Sequence, residues 1–462
     1  MTDPDYLRRV LARVDALDPL ASFPGVDALL AAADAVAAAH PDRVRRRRIG
    51  RSRLGEPIRA YSVGEGPAVV VIGGVHPNEP IGFHTALRLL SDLAEGAGPA
   101  AELPATWHIV PCIDPDGTRL NESWFSDPSD RIAYARGFYR PAPTEQVEWS
   151  FPFDYKGIVF DDPMPEAQAV MRLLDETGPA LVAGLHNAEL GGVYYYLSAG
   201  ETAAIPALHA IAEHLEIPLD RGEPEFDGVE PLADAVYPAL SSRAIVDVLD
   251  ELGVEPASHV VSGGMADYAG RHDAAMFVAE LPYWTHADSA DASPTTLAYA
   301  EILERRARQL DELDAVLSEA LDRAEPHLRI DSQLRRAAVA FVRMMPAMGE
   351  EVRGRAARED PSRLATAAEL FSNADHVRMF RLRFGSILAR ALRAETAAGG
   401  AAPQVRTALA RLDDHLERWY DEARSVTGLR ALPIERLVGV QYGTLLAVAE
   451  VSLNARGAEV PA

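Results

Sequence analysis

Val69-Val70-Val71-Ile72-Gly73-Gly74-Val75-His76-Pro77-Asn78-Glu79 is an apolar run closed by glycines, with a histidine and a glutamate three residues apart at its end. An unbroken run of β-branched residues packs on both faces, the pattern of a strand buried inside a parallel sheet. The carboxyl end of such a strand is where open α/β sheets carry their sites. Imidazole and carboxylate both bind zinc, and a catalytic zinc takes three such groups plus a place for water. His76 and Glu79 would supply two of the three. The pattern then recurs: Leu181 to Leu185 ends in His186-Asn187, Ala275 to Ala279 ends in Glu280-Leu281-Pro282, and Trp107 to Ile113 runs into the turn Asp114-Pro115-Asp116-Gly117. Parallel strands bring these four polar ends to one rim. Burying them together is costly unless they share a partner, and a metal ion is the simplest one.

A formal net charge of -24 argues against a nucleic-acid partner, whose phosphates would be repelled. The one basic run, Arg45 to Arg48, reads as a solvated turn. Cys112 is the sole cysteine, so no intrachain disulfide forms and a zinc would be held by nitrogen and oxygen. The first residues lack the basic and apolar regions of a signal peptide, and no segment reaches membrane-spanning length. These features predict a cytoplasmic protein with no membrane partner.

Three segments are expected. Residues 1–47 carry two helical patterns, Tyr6 to Leu17 and Val26 to Ala39. Residues 48–290 alternate buried strands with helices, the signature of a mainly parallel, mixed α/β sheet flanked by helices. Residues 291–462 lose all strand signals and repeat apolar residues at helical spacing, as at Leu303, Leu310, Leu313, Leu317 and Leu321. This all-helical C-terminal region is expected to be a scaffold or a surface for homo-oligomers. Between Trp124 and Phe160 lies an irregular stretch dense in aromatic residues, too aromatic for disorder, which reads as a lid or pocket wall.

Taken together, Ile49-Gly50-Arg51-Ser52, Gly55-Glu56-Pro57-Ile58, His76-Pro77-Asn78-Glu79, Asp114-Pro115-Asp116-Gly117, Pro165-Glu166-Ala167-Gln168-Ala169, His186 and Phe277 to Pro282 resemble, in order, the zinc carboxypeptidases of the carboxypeptidase A type. The resemblance runs from about Val26 to His286 and stops short of the helical region. It implies that His76, Glu79 and His186 hold Zn2+, that Glu280 is the general acid/base, and that Arg119 polarises the scissile carbonyl. The Asn-Arg pair with which typical members clamp the substrate's terminal carboxylate is missing, since the corresponding region before Phe151-Pro152 reads Glu148-Trp149-Ser150. Asn121, Arg140 and Lys156 are the candidate substrate-binding residues, with Arg131 and Arg136 as further cations. The family's flexible tyrosine has no evident counterpart. Asp116 is a candidate to orient His76. His108 reads as a core residue, and His84 as either packing or support for the metal. His209, Glu213 and His214 read as a helix surface. The implied activity is a metallocarboxypeptidase releasing a C-terminal residue from a peptide. The alternatives are a deacylase acting on an N-acyl amino acid, as in the desuccinylase and aspartoacylase branch, and a non-catalytic relative that binds a peptide or protein.

Overall fold

The computed structural model describes residues 2–223, 229–251 and 253–459. Its centre is an eight-stranded sheet built from β1 (Arg45–Arg51), β2 (Pro57–Val63), β3 (Ala68–Gly73), β4 (Thr106–Val110), β5 (Leu181–His186), β6 (Tyr194–Leu197), β7 (Val236–Pro238) and β8 (Ala275–Glu280), in the order β1-β2-β4-β3-β5-β8-β6-β7. The four middle strands β4, β3, β5 and β8 run parallel. The outer pairs β1/β2, β2/β4 and β8/β6 are antiparallel. The sheet is thus mixed, with a parallel core.

All six residues of β3 are buried, and their alternation divides them between two cores. Val69 and Val71 face a layer containing α1 (Pro4–Val14), α2 (Val26–Ala39) and α3 (Ile81–Glu95). Val70 and Ile72 face α4 (Pro165–Thr177) through Ala167, Val170 and Leu173. A strand buried on both faces has no polar side to offer, which is why its sequence is continuous rather than alternating. Gly82, in the first turn of α3, lets that helix lie directly on β5, because a Cβ there would come within 2.5 Å of the Leu185 Cβ.

The helical C-terminal region comprises α5 (Tyr299–Ala324), α6 (Gln333–Arg358), α7 (Ala367–Ala397), α8 (Pro403–Arg424) and α9 (Ile434–Glu459). It shares its core with the sheet. A single cluster of buried apolar residues runs from Val10 of α1 through Val71 of β3 to Leu310 of α5 and Leu445 of α9. The expected boundaries at residues 47 and 290 therefore do not separate independent cores. Helix α9 packs against α1, α3 and the sheet, and Gln441 on it donates to the His186 carbonyl at 3.0 Å. The apolar stripe of α5 is buried inside the chain, with Leu303, Leu310 and Leu317 fully enclosed. Periodicity shows that a helix face is covered but not by what.

The aromatic segment divides in two. Trp124, Phe125, Tyr134 and Phe138 form an edge-on cluster with Phe23, Tyr283 and Trp284 and belong to the core. Arg390 of α7 caps this segment by donating to the carbonyls of Leu120, Gly137 and Phe138. The later part, with Arg140, Glu148 and Trp149, forms a cavity wall. Among the described residues no helix is long and apolar enough to cross a membrane.

His108 is enclosed on β4 with its Nδ1 2.9 Å from the Ser62 hydroxyl. Burial, reinforced by Arg47 and Arg45, pushes its pKa down from 6.5 to about 4. Between those values the unfolded chain takes up a proton that the folded chain refuses, so stability is full above about pH 6.5 and falls as the pH drops toward 4. His108→Gln should remove this component. Urea unfolding is expected to show wild type losing up to about 3 kcal/mol more than the variant between pH 7 and pH 4.

Candidate metal centre

Register places the site. His186 and Glu280 are paired residues at the carboxyl ends of the parallel strands β5 and β8, and Gly73 at the end of β3 pairs with Leu185. The chain leaves β3 through Gly74, whose φ of 64° is in the left-handed region and whose missing Cβ avoids Phe83 and Cys112. It then makes a tight turn in which the Glu79 N–H donates to the His76 carbonyl at 3.1 Å. That turn sets the His76 and Glu79 side chains next to each other at the head of α3.

Three buried groups converge. Nδ1 of His76 lies 3.1 Å from both carboxylate oxygens of Glu79, and Nδ1 of His186 lies 3.1 Å from Glu79 Oε2. One ligand atom from each residue falls within 4.8 Å of the others, and the two imidazole rings stand edge to face with centroids 4.9 Å apart. Nδ1 and Nε2 of His186 and Nε2 of His76 are buried with no hydrogen-bond partner. Two imidazoles and a carboxylate this close in a buried site must be bridged by ring protons or by a metal ion lying between them. The donor set of two imidazoles and one carboxylate is a zinc set with one place left open. Electrostatics divide the two rings. Although burial opposes protonation of His186, the carboxylates of Glu148, Glu79 and Glu280 outweigh it and push the ring up to about 10. At His76 burial and the Arg140 guanidinium prevail and lower the pKa, which keeps that ring a neutral donor suited to a metal.

With Nδ1 of each ring turned to Glu79, the Nε2 atoms face Glu148, whose carboxylate lies 3.2 Å from His76 Nε2 and 3.7 Å from His186 Nε2. Metal-binding histidines commonly donate their second ring N–H to a carboxylate, which fixes the tautomer and raises ligand basicity. Glu148 takes the position expected of Asp116. Asp116 is instead used by the turn before β2, accepting from the Ser52 hydroxyl and the Leu54 N–H, both at 2.8 Å. Glu148→Ala should weaken zinc binding by about 10- to 100-fold, measured by competition with a chelator. Unchanged affinity would deny it this role.

The other expected site residues divide sharply. Glu280 is 8% exposed, with Oε1 3.7 Å from His186 Nδ1. Arg140 reaches the centre, its Nη1 3.0 Å from Glu79 Oε1. Arg119 does not. It points away from the rim onto Asp27 of α2 (2.7 Å) and Glu56 (3.0 Å), because the short helix carrying it turns its charged face to the N-terminal layer. Asn121 is fully buried and spends its amide on backbone, donating to the carbonyls of Gly117 and Tyr139 and accepting from the Tyr139 N–H. Lys156 sits on a half-exposed hairpin, paired with Asp247 and Asp250. Arg131 is paired with Asp375, and Arg136 with Glu417. His84 bonds the Ser22 carbonyl at 2.9 Å, and His209 and His214 bond the Asp234 carbonyl and Asp15, so none of them approaches the centre.

The triad opens into a cavity of about 550 Å³. One wall comes from Arg140, Glu148 and Trp149, and another from Tyr194 and Tyr196 of β6. Its roof is the helical region, which contributes Arg306 from α5, Met348 and Arg355 from α6, and Phe371, His376 and Arg383 from α7. No sequence signal marked these roof residues, because helical spacing records which face is apolar and not which cavity it covers.

No curated protein matches the chain. Among solved structures, the carboxypeptidase A of Helicoverpa armigera is similar at 14% identity over 76% of this chain and 80% of that one, with a TM-score of 0.38. A metallo-carboxypeptidase from Burkholderia cenocepacia is similar at 18% identity over 56% and 60%, with a TM-score of 0.34. The product-bound ectoine utilization protein EutE of Ruegeria pomeroyi is similar at 16% identity over 52% and 59%, with a TM-score of 0.27. The zinc carboxypeptidase family model matches residues 29–283, more than half of the chain, and that span contains His76, Glu79, His186 and Glu280. This chain therefore belongs to the zinc carboxypeptidase family and is a zinc-dependent hydrolytic enzyme.

Proposed function

We propose that the protein hydrolyses an amide bond in a short peptide, releasing the C-terminal residue. The observation that carries this is the placement of Glu280 beside the His76-Glu79-His186 cluster at the base of a roofed cavity. His76, Glu79 and His186 would hold zinc, which would supply a Lewis acid and lower the pKa of water to about 7. Glu280 is positioned to accept the proton of the attacking water and to return it to the leaving amine. Arg140, rather than Arg119, is the guanidinium within reach of the centre to stabilise the developing oxyanion. Glu148, facing Nε2 of both rings, would accept their N–H groups and orient them when the metal is bound.

The size of the cavity favours a second reading. About 550 Å³ under a helical roof suits a small molecule as well as a peptide end, so hydrolysis of an N-acyl amino acid or small conjugate fits the same chemistry. Peptides with free and amidated C-termini, compared with N-acyl amino acids, separate the two. The exopeptidase reading expects cleavage of free-ended peptides and little of amidated ones. Equal cleavage of both would remove it.

Arg140→Met should lower kcat/KM by about 10² to 10³ if the guanidinium stabilises transition-state charge. Arg140→Lys, which keeps the charge and loses the fork, should recover part of the loss. Full activity in Arg140→Met, at normal zinc content, would exclude that role.

A further inference from the structure

The cavity roof contains a cation that its own carboxylates leave over. Arg383 of α7 donates to Glu189 at 2.6 Å, and Glu189 also accepts from the Tyr134 hydroxyl. Arg355 of α6 pairs with Glu223 at 2.8 Å. Asp375 is shared by Arg131 and Arg378. Glu223 is further occupied by the Tyr299 hydroxyl at 2.9 Å and the Asn373 amide at 2.6 Å. Arg306 of α5 remains. Among the described residues no carboxylate lies within ion-pair distance of it, although Glu223 and Glu351 attract it from farther off, its one hydrogen bond is the 3.3 Å contact from Nη1 to the Asn373 amide oxygen, and its Nε is buried with no partner.

Other unused donors accompany it. Nε of Arg383 and Nδ1 of His376 are also buried without hydrogen bonds. Arg306, Arg383 and Arg355 all act electrostatically on His376, and together with burial they push it down to about 3, so that the ring is neutral at pH 7. All four residues line the same cavity as the metal cluster, beside the apolar Phe371, Met379 and Phe380. A guanidinium whose Nε is buried without a partner is costly, and a fixed planar fork is suited to a carboxylate. The remaining walls carry Glu148, Glu189, Asp220, Glu223, Glu280 and Glu351. This acidic lining tolerates one negative charge at the guanidinium better than it would a phosphate dianion.

We propose that Arg306, assisted by His376 and Arg383, anchors a single carboxylate of the substrate, so that the helical roof supplies the anion grip that the Glu148-Trp149-Ser150 loop lacks. Arg306 lies outside the family-matched span, so this grip would be particular to a chain carrying the helical region. The proposal rests on the reading that the metal cluster hydrolyses an amide in this cavity, and its test is made on binding so that the two can fail separately.

The probes are N-acetylated alanine, phenylalanine, glutamate and arginine and their C-terminal carboxamides, titrated into the zinc-loaded full chain by calorimetry. At least one acid is expected to bind about tenfold or more tighter than its amide. That preference should fall to about twofold or less in Arg306→Gln and be partly kept in Arg306→Lys, which also serves if the glutamine variant does not fold. It should persist in His186→Ala, where metal is lost. Three results would overturn the proposal: no acid preference anywhere in the panel, an unchanged preference in the Arg306 variants, or a preference lost only in His186→Ala, which would put the carboxylate on the metal. Absence of hydrolysis with the binding preference intact would count against the hydrolytic reading and leave the anion site standing.

Discussion

Glu280→Gln should retain zinc and substrate affinity while turnover falls by about 10³-fold or more. The substitution preserves the shape of the side chain at the end of β8 and its burial against His186. What it removes is the capacity to take up a proton, and positioned proton transfer of this kind is worth about 10² to 10⁴ in rate. The loss should therefore appear in kcat and leave the binding of a non-hydrolysable ligand unchanged. Zinc per chain, read by elemental analysis, separates this outcome from damage to the centre. A variant that keeps its zinc and most of its activity would show that another group moves the proton.

His186→Ala should fail differently. Its ring supplies one of three ligands and lies on a strand fixed on both sides by register, so no neighbouring side chain can take its place. Losing a direct ligand should exceed the roughly 10- to 100-fold cost of losing an outer partner, leaving well under one zinc per chain after dialysis. Removing the imidazole also leaves Glu79 with His76, Arg140 and the Asn187 N–H as its partners. The melting temperature of the metal-free variant should move little, because the strand itself is held by the sheet. Stoichiometric zinc in His186→Ala would contradict the ligand assignment.

Much of this arrangement was legible from residues alone, for a definite reason. The runs ending at His76, His186 and Glu280 are buried on both faces, so their sequences are continuous and their ends abrupt, and parallel pairing then dictates a common rim. Loop residues had no such guide. Arg119 and Arg140 both follow the Asp114 turn, and nothing in their spacing says that the first bends back to Asp27 and Glu56 while the second crosses to Glu79. Glu148 lies where typical members carry an Asn-Arg pair, and a lone carboxylate there carries no signal until the rings it faces are placed. The helices beyond residue 291 were evident from periodicity, but their role as a roof depends on contacts spanning hundreds of residues, such as those of Arg390 with Leu120 and of Gln441 with His186. A helix buried on every side, as α9 is from Leu437 to Leu453, announces burial without naming its partner.

One zinc ion held by His76, Glu79 and His186 underlies every role assigned above. Anomalous diffraction across the zinc edge, from crystals of protein purified without chelator, tests it most directly. One anomalous peak at full occupancy is expected between Nδ1 of His76, Nδ1 of His186 and the Glu79 carboxylate, with Glu280 facing its open side. No peak at that position, or a zinc ion bound elsewhere in the chain, would contradict it.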